Sequence, residues 1–594
     1  MAILWRGGKR VATGKAILEA QSMEEEEENV RYWANTVVLV ACVALVVLLI
    51  ARRLILSVMR RRCRTFFGVS PSSTVVGFFH PFCASGGGGE RVLWKILATM
   101  QQLHDAKPLT KSVNVHVIIY AADAGKSREE VLRGAKERFG IDLLSCSWQE
   151  GMEQEQDQHT ADKGHEAASA ARKAASSSMR VDFVFVPPFL TELLSPGAWP
   201  RFTMIGQTLG SLVVAAYCLL YALPDSFVDT TGFAFTVALA KLAGGARTGA
   251  YVHYPTISTD MLRVVYAARP SSSKSSTSPP SGPISPLAYL KRAVKLVYYC
   301  TFAVAYGLTG AAVDVVMVNS SWTAGHINFL WRFSSKPIVV YPPASVQSML
   351  TDGADEQRYA KDKKAPEDSN TRYVLSIGQF RPEKDHSLQL RSFGAFLRNR
   401  RIKQTDKGRC GGVRLVLLGS CRDADDQARV AALRREANAL GLSAHVDFVL
   451  NVPFPDLIAW LRKADVGLHS MWCEHFGISI VEMLAAGLVV VAHDSGGPKE
   501  DIIVPTLDED PRQGVGYLAH DEATYAAALE KAVSKVESAA RGGSGAEEMK
   551  ELRCRAVSRS LRFSDQKFTE RLAAVLTGEI SPAHRHLVRA RARE

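Results

Sequence analysis

The chain has 594 residues, with 72 Lys+Arg against 60 Asp+Glu, a formal net charge of +12, 47% hydrophobic residues and 22% charged residues. At roughly 150 residues per domain this suits two large domains, and it excludes a wholly disordered chain, a collagen and a polytopic membrane protein. The cysteines are scattered with no C-x-x-C pair, which argues against a zinc ribbon or disulfide framework and for free thiols in a reducing compartment.

Basic residues concentrate between Arg52 and Arg64 and between Arg585 and Arg593. Neither cluster is interleaved with stacking aromatics, so the charge is read as membrane proximity, with no nucleic-acid partner. Residues 1–32 form a short N-terminal segment containing the acidic run Glu24–Glu28. Trp33–Ala51 is nearly unbroken apolar sequence, and its nineteen residues at about 1.5 Å each match a bilayer's hydrocarbon core. No small-x-small cleavage site follows it. Residues 52–73 are a basic juxtamembrane segment, so the positive-inside rule predicts a single-pass anchor with residues 1–32 lumenal and everything after Arg52 cytosolic.

A second uncharged stretch, Phe202–Leu223, is also long enough to span. Because the motifs below need one shared cleft, it is expected to pack or rest on the membrane rather than cross it. The sequon Asn319-Ser320-Ser321 is therefore expected to be unglycosylated.

After the anchor, short β-branched runs alternate with helical patterns. Val75–Phe79, Val115–Tyr120, Val181–Val186, Thr248–His253 and Val313–Val318 read as buried parallel strands. Ile338–Tyr341, Tyr373–Ile377, Val413–Leu418, Val446–Val449, Val466–Leu468 and Leu488–His493 form a second series. The expected fold class is α/β, with two doubly wound, Rossmann-like domains facing a cleft. The first spans 74–335, with polar insertions at 150–178 and 269–285. The second spans 336–568, contains a charged insertion at 351–371, and is followed by a basic tail at 569–594. Lys336–Pro343 (KPIVVYPP) reads as the hinge between them, and Leu290–Leu308 as one basic, aromatic, amphipathic helix for core or membrane surface.

Two motifs carry chemistry. His80-Pro81-Phe82 precedes Gly86-Gly87-Gly88-Gly89-Glu90-Arg91, between a strand and an amphipathic helix. Unhindered N–H groups at that helix N-terminus can contact an anionic diphosphate, although G-x-G-x-x-G with a following acid is lacking. The second motif, Glu474-His475-Phe476-Gly477-Ile478-Ser479-Ile480-Val481-Glu482, places two acids eight positions apart where a loop enters a helix, so that Gly477 and the helix dipole can meet phosphate. Downstream, Ser495-Gly496-Gly497-Pro498 is a close-approach loop after a buried strand. Asp423-Ala424-Asp425 imitates a metal motif but opens a helix, so it is read as a cap. His80, His469, His475 and His493 show no metal-ligand spacing.

E-x7-E with an Ala-Ala-Gly helix end and a Ser-Gly-Gly-Pro loop resembles the retaining glycosyltransferases of family 4, which have the GT-B fold. The runs GFFHPFCASGGGGERVLW, YVHYPTISTDML, VMVNSSWTAGHI, SIGQFRPEKDH, SMWCEHFGISIVEMLAAG and LRFSDQKF, between about residues 74 and 568, resemble one group within it. That group is the GDP-mannose-dependent α-1,2-mannosyltransferases extending dolichol-linked Man3GlcNAc2 in asparagine-linked glycosylation.

The resemblance implies GDP-mannose as donor and a dolichol-diphosphate-linked oligosaccharide as acceptor, with two successive additions converting Man3 to Man5 on the cytosolic face of the endoplasmic reticulum. It implies that Glu474 faces the donor sugar, Glu482 binds the ribose, Phe476, Gly477 and Ile478 lie against the diphosphate, Lys384 binds it, and His253 stands near the reacting carbon. Gly378, Gly496 and Gly497 fall on the donor side; His80, Gly86–Gly89 and Glu90 form a loop for the diphosphate and the acceptor. The family's usual arginine is Gln379 here, and Arg381 is offered in its place. Arg381, Lys384 and the helix N-terminus at Gly477 would stabilise the leaving diphosphate, so no metal or cofactor is expected. No carboxylate nucleophile emerges, which predicts same-face substitution. Other mannosyltransferases of the pathway are expected partners. The rival readings are a related α-1,3 or α-1,6 mannosyltransferase and an inactive scaffold of the same fold.

Overall fold

The computed structural model describes residues 14–71, 73–85, 87–105, 115–123, 125–143, 179–267, 286–350, 371–403 and 412–578. It divides into two compact units, residues 1–68 and 69–594. The polar insertions read at 150–178 and 269–285, nearly all of 351–371, and the tail beyond Gly578 lie outside the described residues.

The first unit is one helix, α1 (Gly14–Phe66). Within it Asn35–Phe66 is long and apolar enough to cross a bilayer. The helix continues past Ala51 through the arginine-rich segment, so anchor and juxtamembrane segment are one rod.

The second unit holds two parallel sheets. The first contains β1 (Thr74–Phe79), β2 (Val115–Ala121), β3 (Arg180–Phe185), β4 (Ser226–Asp229), β5 (Arg247–Val252), β6 (Val315–Val318) and β7 (Ile338–Val339), in the order β3-β2-β1-β4-β5-β6-β7. The other contains β8 (Arg372–Ile377), β9 (Val413–Gly419), β10 (Val446–Leu450), β11 (Val466–Leu468), β12 (Val489–His493) and β13 (Gly516–Ala519), in the order β10-β9-β8-β11-β12-β13. β1, β2 and β4 are buried along their whole length, as strands covered by helices on both faces must be. In each sheet the order reverses beside its first strand, between β1 and β4 and between β8 and β11, and ligands of doubly wound folds bind at the carboxyl ends of the strands there.

The helices that matter for the site and its surroundings are α2 (Gly88–Asp105), α3 (Thr203–Tyr221), α4 (Ala234–Leu242), α5 (Pro286–Thr309), α6 (Ile478–Ala485) and α7 (Asp565–Thr577). α2 turns Val92, Leu93, Ile96, Leu97 and Met100 into the first core.

Three expectations are corrected. β4 and β13 were not anticipated. The run read as opening the second domain at Ile338 instead closes the first sheet, with Met317 opposite Ile338 and Val318 opposite Val339, so the crossing comes after Val339. Part of the supposed C-terminal tail is α7, whose Phe568, Leu572, Val575 and Leu576 lie in the first domain's core. Thr569 and Thr99 hydroxyls meet at 3.4 Å, and Arg91 of α2 bonds Asp565 at 3.1 Å. The chain thus passes from first domain to second and back again.

α3 packs on α4, with Val214, Ala215 and Cys218 buried and Ile205, Leu209, Val213 and Leu220 exposed. α5 spans the stretch read as one amphipathic helix. Asp423 caps its helix by accepting the Asp426 N–H. Among the described cysteines all are free thiols.

Candidate active site

The loops of both switch points converge. From the second domain, the turn after β8 carries Gly378, Arg381 and Lys384, and the turn after β11 carries His469 to Gly477. A Cβ added at Gly378 would lie 3.5 Å from the Lys384 side chain. The Lys384 ammonium forms a short ion pair with Glu474 Oε2, and His469 Nε2 stands 3.2 Å from the same oxygen. Although burial opposes charge on Glu474, Lys384, His469 and His475 together hold its carboxyl well below the usual range.

Gly477 starts α6 at φ +104°, a left-handed geometry that favours glycine. Gly496 and Gly497 are required by close approach: a Cβ on Gly496 would lie 2.2 Å from the Glu474 carbonyl, and Gly497 N–H donates to that carbonyl at 2.8 Å. The Ser-Gly-Gly-Pro loop therefore braces the backbone carrying Glu474. Phe476 is buried, stacked on Tyr341.

Glu482 lies on α6 and is buried, with its carboxyl pushed up to about 7 by that burial, while the Arg91 guanidinium of the first domain pulls it down. Arg381 lies 3.8 Å from Glu383 and is two-fifths exposed, and its charge acts on the Glu90 carboxyl of the first domain.

From the first domain, His80 follows β1 and bonds the Thr230 hydroxyl at 2.8 Å. Asp229 shapes the turn after β4 by accepting N–H bonds from Thr231 and Gly232. His253 follows β5; its Nε2 is buried without a partner and faces the position a Cβ on Gly89 would occupy, 3.6 Å away. Burial lowers the pKa of both rings, to about 3 for His80 and about 4 for His253, so both are neutral bases near pH 7.

Gly87, Gly88 and Gly89 open α2, and a Cβ on Gly88 would touch Ile478 at 3.0 Å, which brings the acceptor-side loop against the N-terminus of α6. Gly86 lies outside the described residues. The Glu90 carboxylate folds back on this loop and accepts from the Gly87 and Glu90 N–H groups; burial nevertheless raises its pKa. Of the loop amides expected to meet diphosphate, that of Gly87 is thus bonded to a carboxylate of the same loop.

Sequence reasoning missed several contacts. His475 stacks on Tyr254 of the first domain, ring centroids 4.1 Å apart, with Trp322 also against it at 5.7 Å. Asp501 of the second domain accepts from the Ser321 N–H and the Tyr341 hydroxyl. The sequon asparagine is structural: Asn319 is buried and its Nδ2 donates to the His253 carbonyl at 2.8 Å. A cavity of about 300 Å³ lined by Cys83, Trp94, Glu130 and Arg138 contains none of the site residues. Among the described residues no three His, Cys, Asp or Glu side chains converge as metal ligands.

A two-domain cleft with an acid-and-lysine pocket at one switch point and a glycine loop at the other defines a glycosyltransferase. Residues 357–549 match the model of glycosyl transferases group 1. The fold is also that of the Candida albicans trehalose-6-phosphate phosphatase N-terminal domain, with TM-score 0.52, 10% identity and coverage of 85% of this chain and 96% of the other. Residues 73–150 and 155–331 match the N-terminal model of ALG11 mannosyltransferase. The GDP-Man:Man(3)GlcNAc(2)-PP-Dol alpha-1,2-mannosyltransferase of Xenopus laevis is 38% identical over 83% of this chain and 85% of its own length. The human enzyme of the same name is 36% identical over 89% and 91%. The chain belongs to the ALG11 mannosyltransferase family.

Proposed function

We propose that the chain transfers mannose from GDP-mannose to dolichol-diphosphate-linked Man3GlcNAc2 in α-1,2 linkage, twice in succession, on the cytosolic face of the endoplasmic reticulum. The observation that carries this reading is the Lys384–Glu474 pair with His469, in a chain whose relatives bear that activity in their names.

In this reading Glu474 faces the donor sugar and Glu482 the ribose. Lys384 and the N–H groups at the start of α6 stabilise charge as the bond between mannose C1 and the β-phosphate oxygen breaks. The acceptor hydroxyl attacks C1 from the face the diphosphate leaves, and its proton passes to a leaving phosphate oxygen. The configuration at C1 is retained and the charge is met without a metal. Neutral His253 lines the acceptor side, and the Gly87–Gly89 loop lies between it and the start of α6, within reach of the diphosphate.

A membrane location follows the same logic, because a polyprenyl acceptor stays in the bilayer. α1 is the anchor. α3 and α5 touch through Phe202 and Tyr298 and expose Ile205, Leu209 and Val213, and Val294, Val297 and Val304. Lys291, Arg292 and Lys295 flank the α5 stripe, as on helices that rest on anionic lipid.

The test is incubation of the purified, detergent-solubilised chain with GDP-mannose and dolichol-diphosphate-linked Man3GlcNAc2 in EDTA. A Man5 product sensitive to α-1,2-mannosidase supports the reading. Absence of transfer with and without added metal, while a matched relative works, overturns it.

A further inference from the structure

His469 follows β11 and is buried. Its backbone is fixed independently of its ring: the N–H donates to the Val491 carbonyl at 2.9 Å and the carbonyl accepts the Tyr525 hydroxyl at 2.9 Å. The imidazole is thus free to serve something other than the fold. Its Nε2 points at Glu474 Oε2, while Nδ1 is buried and makes no hydrogen bond. A proton on Nδ1 would leave a buried donor unpaired and aim the Nε2 lone pair at a carboxylate. The proton therefore belongs on Nε2, which donates. Lys384 and His469 both bind Oε2, so the other carboxylate oxygen is the one left for a ligand.

The two partners differ in what they do during a reaction. Lys384 is required by the diphosphate as well as by Glu474, and a cation serving two anions loosens from one as it tightens on the other. A neutral N–H donor has no such second demand. We infer that His469 is a positioning residue for Glu474: its Nε2–H keeps the carboxylate aimed at the donor sugar while the Lys384 ammonium shifts toward the departing diphosphate. This rests on the roles proposed above for Glu474 and Lys384.

The experiment compares the full-length, detergent-solubilised chain with His469→Phe, which keeps a ring without the N–H, and His469→Gln, which restores an N–H donor. Turnover, KM for GDP-mannose, GDP affinity and melting temperature are measured for each. The Phe variant should lose about 10- to 100-fold in kcat, the worth of a hydrogen bond to a charged group. GDP affinity should stay within about twofold of wild type, since the diphosphate contacts are untouched, and His469→Gln should regain most of the lost kcat. Wild-type kcat in His469→Phe overturns the inference. So does an equal loss in both variants that follows melting temperature and GDP affinity, the signature of a packing role. An inactive wild-type chain fails the functional reading itself, whereas an active wild type with an equally active Phe variant fails only the role of His469.

Discussion

Lys384 Nζ and Glu474 Oε2 are partners across 90 residues of sequence, because β8 and β11 are neighbours in the second sheet and both deliver their loops at its switch point. Glu474 is buried yet charged, because Lys384 and His469 overcome its desolvation.

Removing either member should disable turnover. Lys384→Ala and Glu474→Gln are each expected to lower kcat by about 10²- to 10³-fold, the scale of losing one preorganised electrostatic contact. Lys384→Ala should also weaken GDP binding, whereas Glu474→Gln should leave it near wild type. Steady-state kinetics with GDP titration checks both, and near-wild-type kcat in either variant contradicts the assigned roles.

Glu474 and Glu482 should bend the stability–pH curve in opposite directions. Glu474 has a depressed folded pKa, so its contribution is present above its unfolded value and is lost as pH falls through the folded one. Glu482 is raised to about 7. Its protonated form suits the fold, and stability is lost as pH rises from the ordinary glutamate range through about 7. Glu482→Gln should therefore melt like wild type near pH 4.5 and above it at pH 8, with a gain of at most about 3 kcal/mol. Melting temperatures across pH 4.5–8 decide it; an equal shift at both ends would remove the titration argument.

The Glu90 carboxylate occupies the Gly87 and Glu90 N–H groups at the start of α2. If those amides bind the donor diphosphate, Glu90→Gln should tighten GDP binding by about 5- to 10-fold, through one freed N–H and one removed repulsion. Calorimetric titration of GDP reads this directly. Weaker binding in the variant would place the loop on the acceptor's hydroxyls instead.

α3 is docked by close contact rather than immersed on all sides: a Cβ on Gly210 would stand 2.2 Å from the Leu193 carbonyl oxygen. Gly210→Ala is expected to cost about 1–3 kcal/mol by overpacking, seen as a lower melting temperature, and a neutral substitution would argue that α3 leaves this seat. Endoglycosidase should not change the mobility of the protein, since Asn319 is committed to the His253 carbonyl.

Much of the fold could be read in advance because strands such as Val413–Gly419 and Val489–His493 are dominated by Val and Leu, whose burial shows in composition. β4 could not: Ser226-Phe227-Val228-Asp229 has polar ends and follows closely on the long apolar run of α3, and its place is set by neighbours, with Asp225 accepting the Val75 N–H. β7 lay within a correct strand reading, but which sheet it joined depends on pairing with β6, a tertiary fact. In the site, Glu474 and Glu482 stood out by their spacing, whereas Lys384 was reached only through the family resemblance. His469 was visible only as a histidine ending a strand, five positions before Glu474. The grip of Tyr254 and Trp322 on His475 had no local signal, since it joins residues of different domains.

The seating of Phe568, Leu572, Val575 and Leu576 in the first domain's core bears on biosynthesis. Domains generally fold as units during translation, the N-terminal one first. Here that order is interrupted. The face of α2 that receives α7 stays uncovered while the whole second domain is made, and is closed only once residue 577 has left the ribosome. The nascent first domain therefore carries an open apolar face throughout that interval, and a chain cut before Asp565 would keep it.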